Sequence, residues 1–122
     1  MDLRHRDLAA GRWWSLSLFD QLGNVGSEIS RAIGWTTRNP DVAQRALHRA
    51  LELLDLTLDD PRHRRSPARL REILRTREVV VDFFAGSNEY GSSADGIQRY
   101  FDAYARAARS ATAANRRSSP NG

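Results

Sequence analysis

The chain has 122 residues, 40% of them hydrophobic, which is enough for one domain with its own core. Its formal net charge is +4, every one of its nineteen basic residues is arginine, and it contains no cysteine. The composition therefore excludes disulfides, thiolate nucleophiles and cysteine-based zinc or iron–sulfur sites. Its apolar runs are also too short to cross a membrane, so we expect no membrane partner.

Residues 1–12 carry charges of both signs and lack the apolar segment of a secretory signal. We therefore expect a cytoplasmic protein in which residues 1–12 form a flexible arm. Trp13 and Trp14 follow this arm directly. Their large apolar rings predict either an anchor for a base or a partner protein, or a cap over the end of a helical bundle.

A first helix is predicted from Ser15, as a possible N-cap, to about Ile33. Apolar residues recur in it at helical spacing, namely Leu18, Leu22, Val25, Ile29 and Ile33. Small residues lie on its adjoining faces, namely Gly23, Gly26, Ser27 and Ser30. They predict either a close contact with another helix or a merely weakened helix, since glycine lowers helix propensity.

A second helix is predicted to begin at Pro40, with Asn39 as its N-cap and Asp41 near the positive end of the helix dipole. Its apolar positions recur at spacings of three and four until residues 59–61, two aspartates and a proline, end the pattern. Small residues in its first half predict tight packing against a neighbour.

A third helix is predicted from Pro67, with Ser66 as its N-cap, until just before Gly86. A turn-rich loop then leads to a fourth helix over residues 94–111, which has a buried stripe of aromatic residues and alanines. Residues 112–122 are small and polar and are expected to form a disordered tail.

The connections between these four helices are short, which favours antiparallel neighbours. The sequence therefore predicts an all-α fold, an antiparallel up-down four-helix bundle over residues 13–111 with disordered termini. No internal repeat of the length found in helical repeat proteins is present.

Seven of the nineteen arginines lie between residues 62 and 77. One interpretation is a phosphate-binding face, for which the candidate residues are Arg62, Arg64, Arg65, Arg69, Arg71 and Arg75. The other is a solvated helix face with ion pairs, because Glu72 and Glu78 dilute the positive charge. Complete replacement of lysine by arginine also follows from a GC-rich coding bias, so the number of arginines decides nothing by itself.

No pattern of catalytic or metal-binding residues is recognisable. The three histidines lie in different elements, and none forms the Glu-x-x-His arrangement of di-iron bundles. The chain also lacks a nucleophile–base pair and a glycine-rich phosphate loop. We therefore expect a protein that is not an enzyme and that binds neither a metal nor a cofactor.

Several segments resemble a group of short bacterial proteins: SLFDQLGNVGSE at 17–28, ALELLDLT at 50–57, LREIL at 70–74 with DFF at 82–84, and NEY at 88–90 with YFDAY at 100–104. The likeness spans residues 13–109. That group is similar in architecture to the four-helix bundles encoded in ribosomal RNA intervening sequences and to the accessory variability proteins of diversity-generating retroelements. The accessory proteins are small, basic, ring-forming bundles that bind RNA and a reverse transcriptase.

The resemblance implies an oligomeric accessory protein that binds nucleic acid, RNA in preference to DNA, or a nucleic-acid-processing enzyme such as a reverse transcriptase. The arginine cluster is the expected contact surface. The alternative is an adaptor with no nucleic-acid role, which binds another protein through Trp13, Trp14 and Tyr90, because aromatic anchors dominate protein interfaces.

Overall fold

The computed structural model describes residues 3–118. Within that range the chain forms six helices and no strand, so the all-α prediction is confirmed. The helices are α1 Leu3–Trp14, α2 Leu18–Trp35, α3 Pro40–Leu58, α4 Pro61–Arg64, α5 Pro67–Ala85 and α6 Ala94–Ser118. None of them has a stretch long and apolar enough to cross a membrane.

The predicted helix starts at Asn39 and Ser66 are confirmed. Asn39 Oδ1 accepts a hydrogen bond from the backbone N–H of Val42, and Ser66 Oγ accepts one from that of Arg69. The first predicted helix begins slightly later than expected, because Ser17 rather than Ser15 is its N-cap. A side-chain oxygen at these positions satisfies an N–H group that has no partner within the helix.

The chain is helical beyond the predicted bundle at both ends. The arm expected over residues 1–12 is helical from Leu3, and the tail expected over 112–122 is helical as far as Ser118. Alanine and arginine, which dominate residues 103–117, have high helix propensity and outweigh the polar character of this segment. The rest of the predicted arm and tail lies outside the described residues.

The short helix α4 is also additional to the prediction. The aspartates and proline at 59–61 do end α3, but they begin a new helical turn at the same point. Asp60 is its N-cap and accepts from the N–H of Arg62, while Pro61 occupies the first helical position. One residue pattern therefore both ends one helix and starts the next.

Helix α2 lies at the centre of the core, because the two most extensive helix contacts of the described structure are those of α2 with α3 and of α2 with α6. Its residues Leu22, Val25 and Ile29 are completely buried. The buried apolar residues around them come mainly from α3 and α6, namely Ala46, Leu47, Ala50, Leu54, Ile97 and Phe101. Helix α5 contacts α3 and contributes Ile73 and Val80 to the buried set.

Glycines allow α2 and α6 to approach each other closely. A Cβ atom added at Gly26 would lie 2.5 Å from Phe101 Cβ, and one added at Gly23 would lie 3.1 Å from Ala105 Cα. The prediction of a close helix contact at these glycines is confirmed. The two helices run antiparallel there, because the earlier residue of α2 faces the later residue of α6.

We predict that Gly26→Ala lowers the free energy of unfolding by about 1–3 kcal/mol, because the new methyl group overpacks the contact with Phe101. Gly34→Ala is the matched control in the same helix, since nothing lies within 4 Å of a Cβ atom there. The control should be neutral or more stable by up to about 1 kcal/mol. Urea unfolding measures both, and equal effects of the two substitutions would contradict the packing.

Candidate functional site

A buried polar cluster joins the start of α2 to the end of α3 and to α4. Gln21 donates from Nε2 to Asp60 Oδ2 and to the carbonyl oxygen of Trp13, both at 3.0 Å. His63 Nε2 lies 2.7 Å from Gln21 Oε1. Because that amide oxygen only accepts, His63 donates from Nε2. The buried Nδ1 of His63 has no hydrogen-bond partner among the residues that the structure describes.

Asp60 is completely buried, and Arg62 neutralises it. The Arg62 guanidinium donates from Nη2 to Asp60 Oδ2 at 2.7 Å and from Nε to Oδ1 at 3.1 Å. Burial alone would raise the pKa of Asp60, but the hydrogen bonds from Arg62 and Gln21 outweigh it and hold that pKa far below its usual range. Arg62 therefore has a structural role, although the sequence placed it among the nucleic-acid-binding residues.

Both tryptophans before α2 are used inside the molecule. Trp13 is 9% exposed, and its Nε1 donates to Thr57 Oγ1 at 2.8 Å. Trp14 is half-buried and donates from Nε1 to the carbonyl oxygen of Leu56 at 2.7 Å. The structure thus contradicts the expectation that these two rings offer exposed anchors to a partner, and it favours the interpretation in which they cap the end of the helical core.

Tyr90 lies on the surface, as the adaptor hypothesis requires, with 48% of it exposed. Its hydroxyl donates to Glu78 Oε2 at 3.0 Å, and the guanidinium of Arg75 lies 6.0 Å from the centre of its ring. With Trp13 buried and Trp14 half-buried and bonded to α3, Tyr90 does not form with them an exposed aromatic patch of the kind that anchors a protein interface.

The six candidate arginines divide into two groups. Arg62 is bound to Asp60, and the exposed Arg64 lies 3.5 Å from Asp59. Arg65, Arg69, Arg71 and Arg75 are exposed and form no ion pair with any side chain that the structure describes. We call these four residues the basic end of α5.

The basic end surrounds the start of α5 rather than forming one flat face. Arg71 and Arg75 are one helical turn apart on the exposed side, whereas Arg69 lies about 160° away from Arg71 around the axis. Arg65 precedes the helix as the C-cap of α4. A polyanion that contacts all four guanidinium groups has to pass around the helix, because Arg69 and Arg71 lie on nearly opposite sides of it.

A pocket of about 400 Å³ lies between α5 and α6, beside the basic end. We call it the α5–α6 pocket. Its walls are mainly apolar, and they include Val79, Val80, Ile97 and Phe101. Its polar lining residues are Glu72, Arg75, Thr76, Tyr100 and the loop residues Ser92 and Ser93.

Three polar side chains meet at one side of this pocket. Tyr100 Oη donates to Glu72 Oε1 at 2.8 Å, and it lies 2.7 Å from Thr76 Oγ1. Burial raises the pKa of Tyr100, so its hydroxyl stays protonated at neutral pH. Sequence reasoning missed this group. The sequence does contain one indication of this group. Glu72 and Thr76 are four residues apart, as are Tyr100 and Tyr104, and this spacing places each pair on one helix face.

The loop between α5 and α6 is held in one shape by side chains. Both Asp82 carboxylate oxygens accept backbone N–H groups, from Glu89 at 2.8 Å and from Tyr90 at 3.1 Å. The Asn88 side chain bonds to both the N–H and the carbonyl of Ser92 at 2.9 Å. Asn88 has a φ of 56°, which asparagine tolerates better than other non-glycine residues. The mouth of the pocket is therefore preformed.

Among the residues that the structure describes, no three histidine, cysteine, aspartate or glutamate side chains lie close enough together to hold a metal ion. Comparison of the chain with protein-family models, with curated proteins and with solved structures finds no match. A proposal for its function therefore rests on its own residues.

We predict that the unfolding free energy falls as the pH is lowered from about 7 to about 5. Burial lowers the pKa of His63, so in this range the unfolded chain binds a proton that the folded state resists, and stability is lost with falling pH. Urea unfolding at both pH values measures this dependence.

His63→Gln should largely remove this pH dependence. The exposed His48 provides the control, and His48→Gln should keep the dependence. An unchanged pH dependence in the His63 variant would show that the buried cluster is not its source.

Proposed function

We propose that this protein is a non-enzymatic accessory protein that binds RNA, or an enzyme that processes nucleic acid, through the basic end of α5. The observation that carries the proposal is the placement of arginines at the N-terminal end of α5, where the helix dipole makes positive charge unfavourable for stability. The argument depends on charge position rather than on the number of arginines.

The first turn of α5 differs from the first turns of α2, α3 and α6, the other three helices of the proposed bundle. Helices α2, α3 and α6 each have an aspartate there, which complements the positive end of the helix dipole. Helix α5 has no acidic residue in its first turn and has Arg69 instead, with Arg65 just before the N-cap. Each such arginine costs about 0.3–1 kcal/mol at low ionic strength.

A bound phosphate would relieve this unfavourable arrangement. The N-terminal end of a helix favours negative charge, and guanidinium groups bind phosphate oxygens with two parallel hydrogen bonds. The four guanidinium groups are exposed and have no carboxylate to compete for them among the described side chains. RNA is the polyanion that the resemblance to accessory proteins also favours.

We also propose that α2, α3, α5 and α6 form an antiparallel up-down four-helix bundle that assembles into a homo-oligomer in the cytoplasm. The antiparallel contact of α2 with α6 and the short connections support the bundle. A groove lined by three leucines and three charged residues supports self-association, because Leu74 in it is 44% exposed. Its lining residues are Asp55, Leu58, Asp59, Arg64, Leu70 and Leu74. An RNA partner supports the cytoplasmic location.

We predict that replacing Arg65, Arg69 and Arg71 together by serine weakens RNA binding at least about tenfold at low salt. The slope of log K against log salt concentration should become shallower by about 2, because three phosphate contacts on a single strand are lost. Fluorescence anisotropy with labelled RNA at several salt concentrations measures both quantities.

The matched control replaces Arg45, Arg49 and Arg106, which are exposed on other helices, and removes the same charge. It should change the slope little. If both triple variants weaken binding equally, net charge rather than the basic end is responsible, and the proposal is wrong.

The substitution Arg69→Glu is expected to change stability and RNA binding in opposite directions. Arg69→Glu places an acid three residues after the N-cap Ser66, which completes a capping box and complements the dipole. We predict about 0.5–1 kcal/mol more stability in urea unfolding, together with weaker RNA binding. Arg106→Glu, with the same charge change in the middle of α6, should show no such gain in stability.

A further inference from the structure

We propose that the α5–α6 pocket receives one nucleobase of single-stranded RNA while Arg71 and Arg75 hold the adjoining phosphates. This inference rests on the function proposed above and adds a second, base-contacting site to it. Arg75 connects the two sites, because it belongs to the basic end and also lines the pocket.

The pocket has the size and the walls for a base. Its volume of about 400 Å³ lies within the usual range of small-ligand pockets, about 300–1,000 Å³. Its lining includes the half-buried Tyr100 and the aliphatic side chains of Val79 and Ile97. Aromatic side chains of this kind stack on the faces of bases in single strands, whatever the sequence.

The polar side of the pocket matches the edge of a base that carries an amino group. Glu72 Oε1 accepts from the Tyr100 hydroxyl, which leaves Oε2 to accept from a ligand. Carboxylates pair with the exocyclic amino group of cytosine, whereas the same position of uracil is an oxygen that Glu72 would repel. The Thr76 hydroxyl beside it donates to the backbone carbonyl of Glu72, so its oxygen can only accept from a ligand. The pocket is therefore expected to prefer cytosine to uracil.

A base can enter the pocket only from a single strand or a loop of RNA. A base within a duplex is stacked and paired, and it cannot enter a pocket without being extruded, whereas bases of loops and single strands can be splayed out. The phosphate next to an inserted base would lie near the pocket mouth. There Arg75 packs over the exposed Tyr90, and Arg71 is one turn away along α5.

The test compares three fluorescein-labelled RNAs of about ten nucleotides, a length within the site size of single-strand binders. They are oligocytidine, oligouridine and a mixed-sequence duplex, each titrated into the full chain and followed by anisotropy. We expect oligocytidine to bind about tenfold more tightly than the duplex and several-fold more tightly than oligouridine.

Two variants of the pocket complete the test. Val79→Trp fills the pocket, and it should reduce oligocytidine binding to the duplex level while duplex binding stays unchanged. Ala103→Trp is the control and should leave oligocytidine binding unchanged, because it adds the same ring at an exposed position of α6 outside the pocket. Glu72→Gln leaves the pocket open and should bring oligocytidine and oligouridine affinities within about twofold. Thermal unfolding checks that each variant is folded.

The outcomes separate this inference from the proposed function. Equal binding of oligocytidine and duplex by the unmodified protein would overturn the inference and leave RNA binding by the basic end intact. Retention of the oligocytidine preference in both Val79→Trp and Glu72→Gln would overturn it as well. No binding of any of the three RNAs would overturn both the inference and the proposal that the basic end binds RNA.

Discussion

The close approach of α2 and α6 at Gly26 is the constraint on which the rest of the structure depends. Because there is no side chain at Gly26, the ring of Phe101 packs directly against the α2 backbone, and this contact fixes the rotation of α6 about its own axis. The neighbouring Tyr100 is then directed toward α5, where it meets Thr76 and Glu72. The polar side of the α5–α6 pocket is thus a consequence of how the core packs.

The buried polar cluster around Asp60 explains why only part of the arginine cluster is available to a ligand. A carboxylate such as Asp60 can be completely buried only when hydrogen bonds and a counter-ion compensate for lost hydration, and Arg62 and Gln21 provide them. Burial in the same cluster lowers the pKa of His63, and the hydrogen bond between His63 and Gln21 holds α4 against α2. Arg62 therefore stabilises the fold and Arg77 is paired with Asp55, whereas Arg65, Arg69, Arg71 and Arg75 leave their charge at the surface.

Local patterns predicted the parts of this fold that depend on neighbouring residues. The N-caps at Asn39 and Ser66 satisfy backbone groups within one turn, so their effect is visible in a short sequence window. The contact at Gly26 was one of two interpretations, because glycine in a helix reveals a close neighbour without identifying it. The structural role of Arg62 was not predicted, because its partner Asp60 is buried only through packing against α2, where Gln21 lies 39 residues from it in the chain. The α5–α6 pocket likewise exists only where two helices and a loop meet.

The measurement that tests the account most directly is chemical-shift mapping of the isotopically labelled 13.8 kDa chain during titration with single-stranded oligocytidine at low salt. The account predicts that the largest changes cluster at Arg65, Arg69, Arg71 and Arg75 and continue into the pocket at Thr76, Ile97 and Tyr100. Changes confined to other arginines, such as Arg116 and Arg117 at the end of α6, would contradict it. A spectrum unaffected by RNA would contradict the account of the basic end as a phosphate-binding site altogether.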